Sequence, residues 1–401
     1  MEHDEFLKVE RGLEEMRKPR RSHPNGWEPG VDSAQGTLTV VAGDSPPTDW
    51  SVVIREFGLD PAAWTVDENA RVEVRTWDSG DSRNYYYRAT ILPRRDAVTS
   101  PDVDALIKEV KRKKRKPPEQ TESSRALCVV AADWQAGKGN EHGTGAEELL
   151  DRLFILRDEV PRRVKALAKA GEPVDTIALL SVSDLVEGCA GHYNMQQHQT
   201  ELDNRQQARL VRRMLVELIT AWAPLVPNMT VATVPSNHGE RRLNGKAYTN
   251  WGDNADVEVF EVVREILAQN PDAYGHIRWC IPDQQMTVTV DVCGTVIGLA
   301  HGHQFRGSGA AQQKALKWWK DMAMNRTAIG DCDLLLSGHL HHFTAITEGV
   351  EDSPKGRTHF QAPALDVGSK WWEHMGGSPT QQGTLTFTVD ERGWDNLKII
   401  R

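Results

Sequence analysis

Apolar residues follow two different rhythms along this chain, and the change comes at about residue 124. Before it, the pattern is short and mostly alternating. Phe6, Val9, Leu13 and Met16 recur at helical spacing, which predicts a charged helix over residues 4–18. A Pro-, Gly- and Ser-rich loop follows. Thr37 to Ala42 reads as a strand, and Asp49 to Phe57 as a helix with Thr48 or Asp49 capping its start and Gly58 past its end. Residues 71–77 and 85–91 alternate at period two, so a hairpin across the turn at residues 78–83 is expected. Residues 1–100 thus read as a helix plus a small α+β module.

From Ala126 the apolar blocks become continuous. Ala126 to Ala132, Thr176 to Val182 and Thr230 to Val234 read as buried strands. Amphipathic helices over Gly145 to Ala170, Gln199 to Ala223 and Asp256 to Gln269 alternate with them. That alternation predicts a largely parallel, helix-covered sheet. Further strands are expected at 286–292, 295–300, 334–336, 343–347, 359–362 and 384–389, with a helix through Trp318 and Trp319. Two sheets packed face to face with helices outside would bury this many strands. Residues 101–123, which hold a short helical stretch, a basic run and Pro117-Pro118, are read as a linker before a large α/β domain at 124–401.

Composition narrows the classes. The net charge is −9, which argues against a general nucleic-acid coat. The charge is uneven, however: Lys111 to Lys116 is an unbroken basic hexamer, and Arg17 to Arg21 is a second cluster. Five cysteines without a CxxC pair point to a reducing cytoplasm and to thiols packed as small hydrophobes. No apolar leader follows Met1 and no run reaches the ~20 residues of a membrane span, so a cytoplasmic protein without membrane contact is expected.

Chemistry-bearing residues cluster where the apolar blocks end. Asp133-Trp134-Gln135, Ser183-Asp184-Leu185-Val186-Glu187-Gly188, Ser236-Asn237-His238-Gly239-Glu240, His301-Gly302-His303 and Gly338-His339-Leu340-His341 come in that order. Taken singly each is weak: His301 could be a satisfied core histidine and Asp184 a helix cap. In an extended segment His339 and His341 would point to one side and converge. Together, carboxylate, amide and imidazole groups at strand ends are what borderline-hard divalent cations take.

The set resembles the calcineurin-like metallophosphoesterase superfamily, whose motifs run Asp-x-His, Gly-Asp, Gly-Asn-His, a His before Gly-His, and Gly-His-x-His; the likeness spans residues 124–392. It implies a four-layer α/β/β/α sandwich carrying two divalent metal ions. It also implies that Asp133 and His341 bind the first ion, that Asp184 bridges both, and that Asn237, His301 and His339 bind the second. A hydroxide shared by the ions would attack phosphorus. His238, a non-ligand, would stabilise the transition state or protonate the leaving group, and Asp184, besides bridging, is counted with it among the catalytic residues. Gln135 stands where the family has His, so it is either a ligand through its amide oxygen or a neighbour of one. Its presence favours Mn²⁺, with Mg²⁺, Zn²⁺ or Fe as the other candidates. Arg241, Arg242, Trp371 and Trp372 are the expected substrate contacts, and His192, Tyr193, His198 and Glu201 are expected on the rim.

Of the phosphoesters that such a centre hydrolyses, a nucleic acid is expected first, from the basic hexamer and the arginines beside His238. The alternatives are a small-molecule phosphodiesterase or phosphatase acting on cyclic nucleotides, and a metal-bound binding module weakened by Gln135.

Overall fold

The computed structural model describes residues 23–32, 36–61, 64–66, 71–79, 82–93, 103–120, 123–139, 145–193, 196, 199–348, 356–366 and 381–401. The helix expected at residues 4–18, His198, Trp371 and Trp372 lie outside them. The chain divides into two compact units, residues 1–96 and 97–401.

The smaller unit is a five-stranded antiparallel sheet with one helix. Its elements are β1 (Gly30–Asp32), β2 (Thr37–Ala42), α1 (Trp50–Glu56), β3 (Trp64–Val66), β4 (Glu73–Ser79) and β5 (Ser82–Pro93), with β5 pairing β2, β3 and β4. Asp49 caps α1 by accepting from the Ser51 amide at 2.9 Å. Val53 and Ile54 on α1 pack with Leu38, Val40, Tyr87 and Ile91. The β4–β5 hairpin pairs out to Ser79 and Ser82, so its turn is tighter than the six residues expected. Asp78 and Arg83, of opposite charge, face each other across the extended strands, 3.0 Å apart.

In the larger unit the order is α2 (Val103–Arg112), β6 (Ala126–Ala132), α3 (Gly145–Lys169), β7 (Thr176–Ser183), α4 (Asn204–Trp222), β8 (Asn228–Ala232), the short pair β9 (Arg242–Leu243) and β10 (Lys246–Ala247), and α5 (Ala255–Leu267). Next come α6 (Pro271–Tyr274), β11 (Ile277–Cys280), β12 (Thr287–Val292), β13 (Thr295–Ala300), α7 (Ala311–Met324), β14 (Leu334–Ser337), β15 (Thr344–Glu348), β16 (Arg357–Gln361), β17 (Thr384–Asp390) and β18 (Gly393–Ile400). One six-stranded sheet runs β11-β8-β7-β6-β17-β18, and β11 through β6 are parallel. A five-stranded sheet runs β12-β13-β14-β16-β15, with β13, β14 and β16 parallel and the two edges antiparallel. The architecture is mixed α/β.

The continuous apolar blocks are explained by burial on both faces. In β6, Leu127, Val129 and Ala131 join a cluster with α3, α4 and α5, including Leu153, Leu215 and Phe260. The alternate residues Cys128, Val130 and Ala132 instead meet Ile297, Leu299, Leu336 and Phe360 from the five-stranded sheet. A water-facing strand would need polar residues at one of these sets. On α2, Leu106 and Val110 are fully buried in the first of these clusters, so part of the stretch expected to be a linker packs into the core. The basic residues that follow stay exposed. The helix expected from Gln199 begins at Asn204, because Asp203 and Gln206 form a capping box there. No helix among the described residues is long and apolar enough to cross a membrane.

His359 on β16 is buried on the face of the five-stranded sheet that carries Leu335, beside Phe305, and its Nε2 is hydrogen-bonded to the Ser337 hydroxyl at 2.9 Å. Burial lowers its pKa to about 4. An unfolded histidine titrates near 6.5, so between pH 6.5 and 4 the unfolded chain binds more protons and stability falls as pH falls. At pH 5 this amounts to roughly 1–2 kcal/mol. His359→Gln, which keeps a hydrogen-bonding partner for Ser337, should lose less stability than wild type between pH 7 and pH 5. Urea unfolding at the two values measures it, and equal losses would acquit His359.

Candidate metal centre

The loops that follow β6 and β7 are stitched together by backbone hydrogen bonds. The amides of Asp133, Gln135 and Ala136 donate to the carbonyls of Ser183, Asp184 and Leu185 at 2.9, 2.9 and 2.8 Å. Parallel pairing thus continues past the strand ends, but only by forcing unusual backbone. Asp133, Gln135, Ser183 and Asp184 have φ of 48°, 44°, 65° and 53°. His339 and His341 add φ of 73° and 59°, so six of the ten left-handed non-glycine residues among those described lie in these motifs. Each costs of order 1–3 kcal/mol and persists only where the surroundings over-determine it, which is a mark of functional sites.

Left-handed backbone also corrects the expectation for the Gly338 motif. The segment is bent rather than extended, so alternation does not bring both imidazoles to one side. His339 lies against His301, ring centroids 5.0 Å apart. His341 turns to the other side, its Nε2 3.5 Å from Asp133 Oδ1 and its Nδ1 3.5 Å from Asp366 Oδ2. Gly338 is required here: a Cβ would lie 2.5 Å from Asp133 Oδ2. The vacated space lets the His339 amide donate to both Asp133 oxygens at 3.1 and 3.0 Å.

Ligand atoms of Asp184, His301 and His339 all fall within 4.8 Å of one another. His301 is fully buried and donates from Nδ1 to the Val182 carbonyl at 2.8 Å. Its Nε2 therefore presents a lone pair, yet it faces Asn237 Oδ1 at 2.8 Å and Asp184 Oδ2 at 3.0 Å. Three electron-pair donors at such distances need a positive charge between them. Without a metal that charge is a proton: burial opposes it, but Asp184 and then Asp133 outweigh burial and raise the His301 pKa to about 9. A divalent cation meets the same need, so the donor set fits one. His339 is held neutral at pH 7, its pKa lowered to about 4 by burial and by His301. That leaves a lone pair free for a ligand bond.

On the other side the set is Asp133, Gln135, His341 and Asp366. Burial opposes protonation of His341, but Asp366 and Asp133 push its pKa up to about 10. Gln135 Oε1 accepts from Lys138 Nζ at 2.8 Å, and its Nε2 lies 3.5 Å from both His238 Nε2 and His341 Nε2. Lys138 and Asp366 carry no expectation from sequence, yet they form a buried ion pair here. Burial would raise the Asp366 carboxyl, and Lys138 and His341 outweigh it to hold it well below the carboxylate range.

His238 stands between the two sides. Its amide donates to Asp184 Oδ1 at 2.9 Å, its Nδ1 donates to the Glu187 carbonyl at 2.7 Å, and its ring stacks on His192 with centroids 4.5 Å apart. The ring is thereby fixed with Nε2 toward the cleft, 4.0 Å from Asp184 Oδ2. Burial lowers both His192 and His303 to about 3, so both are neutral at pH 7. Tyr193 donates to the buried Glu187 carboxylate at 2.7 Å. Glu201 leaves the rim and caps α3, accepting from the Gly145 and Ala146 amides at 2.9 Å each.

Arg241 and Arg242, expected on substrate, already hold acids. Arg241 contacts Glu258 at 2.6 Å, and Arg242 contacts Glu240 at 2.7 Å and the Gly191 carbonyl at 3.1 Å. Asp256 is a further residue whose role the sequence hides, since at a helix start it reads as capping. Its buried carboxylate accepts from the Val186 amide at 3.1 Å and from the Ser236 hydroxyl, tying the Asp184 loop to the Asn237 loop. Burial, then the nearby Asp184 charge, raises its pKa to about 6.

No protein-family model and no curated protein matches the chain. Among solved structures it is similar to Vps29 complexed with Zn²⁺ from Entamoeba histolytica, at 13% identity and TM-score 0.30 over 68% of this chain and 96% of that one. A conserved uncharacterized protein from Streptococcus pneumoniae, a predicted phosphoesterase, matches at 11% identity and TM-score 0.25 over 66% and 84%. The sulfate thiohydrolase SoxB from Thermus thermophilus matches at 12% and 0.29 over 70% and 57%. Likenesses this weak assign no activity, and the chemistry rests on the geometry above.

That geometry predicts a cation-dependent rise in the unfolding midpoint of chelator-stripped protein. Asp184→Asn should shrink the rise on adding Mn²⁺, because it removes a charged oxygen from the set that converges with His301 and His339. Calorimetry of both proteins with and without Mn²⁺ measures this; an undiminished rise would show that Asp184 takes no part.

Proposed function

We propose that this chain is a divalent-cation-dependent phosphoester hydrolase of the calcineurin-like metallophosphoesterase type, acting on phosphodiester bonds of a nucleic acid. The observation that carries the hydrolase reading is the convergence of His301 Nε2, Asn237 Oδ1 and Asp184 Oδ2 within about 3 Å contacts, with His339 beside them. The four-layer α/β/β/α sandwich of that type is supported by the division of β6 side chains between a helix-facing and a sheet-facing cluster. The ligands of one cation position are Asp184, Asn237, His301 and His339; a second position is bounded by Asp133, Asp184 and His341. Oxygen and nitrogen donors without a thiolate suit Mn²⁺.

Cations held there would polarise a phosphoryl oxygen and ease deprotonation of a water. The chain's own groups do the rest. His238, fixed through Nδ1, offers Nε2 to the cleft and can give a proton to the leaving alkoxide. The parallel His192 ring blocks it from swinging away. The Gln135 amide nitrogen, facing the same space, can donate to a non-bridging phosphoryl oxygen.

A nucleic-acid substrate is favoured by exposure. Residues 111–116 are all exposed cations on the larger unit. Tyr248 and Trp251, 63% and 56% exposed, lie on the segment that leaves the His238 turn and offer faces on which bases can stack. Arg241 and Arg242 support it less, since carboxylates hold both.

The test is a panel of single- and double-stranded DNA, bis-p-nitrophenyl phosphate and p-nitrophenyl phosphate with Mn²⁺. DNA and diester turnover are expected, lost on chelation and restored by metal. His238→Ala should lower kcat by roughly 10²–10⁴-fold with Mn²⁺ binding intact. Neutralising residues 111–116 should weaken DNA cleavage and its salt dependence while leaving bis-p-nitrophenyl phosphate turnover unchanged. Monoester turnover alone would replace the nuclease by a phosphatase, and Mn²⁺ binding without any turnover would leave a binding module.

A further inference from the structure

The two cation positions are not electrically equivalent, and Lys138 is the reason. Its backbone amide donates to the Gln135 carbonyl at 2.9 Å, and the residue pairs across a bridge with Thr200. The turn so fixed sends its side chain, only 12% exposed, into the Asp133 side of the centre. There the ammonium lies on Asp366 Oδ2 and on Gln135 Oε1. Oε1 is the atom of Gln135 able to ligate a hard cation, and it is already engaged. The amide's other end, Nε2, is a donor and repels a cation.

The Asp184 side has no such internal charge. Among the described residues no lysine or arginine nitrogen lies within 4.0 Å of the Asp184 carboxylate, whose partners are the His238 amide and the His301 and His238 rings. One side therefore lacks a cation and the other contains one. Taking the reading of the centre given above as its basis, we propose that Lys138 supplies the positive charge of the second position. The protein then holds one divalent cation tightly, at Asp184, Asn237, His301 and His339, while the position beside Asp133 is a weak site that Gln135 does not ligate.

Removing Lys138 would free both Gln135 Oε1 and Asp366 and restore a charge deficit beside Asp133. The experiment is a titration of the chelator-stripped full chain with Mn²⁺, followed by electron paramagnetic resonance. The resonance counts bound ions and distinguishes an isolated ion from a spin-coupled pair. Wild type is expected to bind one tight equivalent with the spectrum of an isolated ion. Lys138→Met should tighten the second equivalent by about 10–100-fold, the range typical of groups that act through a ligand, and should give a coupled pair. Lys138→Arg, which keeps the charge, should stay at one. Two tight, coupled equivalents in wild type would overturn the proposal, as would an unchanged second affinity in Lys138→Met. Absence of any tight equivalent would overturn the cation reading itself and this inference with it. Should Lys138→Met fail to fold, the wild-type count and Lys138→Arg still decide between one ion and two.

Discussion

Three carboxylates with almost no solvent exposure, Asp133, Asp184 and Asp366, sit at the strand ends of the larger unit, and the rest of the centre is arranged around their charge. A buried carboxylate without compensation would neutralise itself by taking a proton. Here the opposite holds for two of them: imidazoles and an ammonium outweigh burial and keep Asp184 and Asp366 ionised. The reciprocal effect is that His301 and His341 rise to about 9 and about 10. Positive charge is thus demanded beside three buried carboxylates. Protons and Lys138 meet that demand in the bare chain.

Backbone geometry enforces this. Side chains on straight strand extensions would diverge at every second residue, and the carboxylates could not face one another. The left-handed residues at 133, 135, 183, 184, 339 and 341 break that alternation, and the hydrogen bonds between the β6 and β7 loops hold them there. The strain is offset by the apolar blocks behind it. Val182 and Ala132 are buried against Leu299 and Leu336, so the loops cannot relax without opening the core between the sheets.

Much of the fold was legible because burial on both faces writes itself as uninterrupted apolar sequence. Ala126 to Ala132 is a strand at the bounds its hydrophobicity marks, and so is Thr295 to Ala300. Helix starts were less legible where polar side chains decide them, as at Asp203, whose capping box postpones α4 to Asn204. The site divided along the same line. Residues that end an apolar block, such as Asp184 and His301, announced themselves. Asp256 and Lys138 did not, because a carboxylate at a helix start and a lysine after a glycine have ordinary surface uses. Only the three-dimensional path shows that α5 begins under the Asp184 loop and that the Lys138 turn faces inward.

Asp256 also explains why the centre is one object rather than two loops that happen to meet. Its oxygens hold the Val186 amide from one loop and the Ser236 hydroxyl from the other, while Asn254 binds the Ser236 carbonyl at 2.8 Å. Asp184 and Asn237 are therefore positioned by the same helix terminus. A shift of α5 would move the Asp184 carboxylate and the Asn237 amide together, keeping their separation while changing their distance to His301 and His339 on the other sheet. The spacing within the cluster is consequently set by how the two sheets pack, and the apolar layer between them helps to fix it.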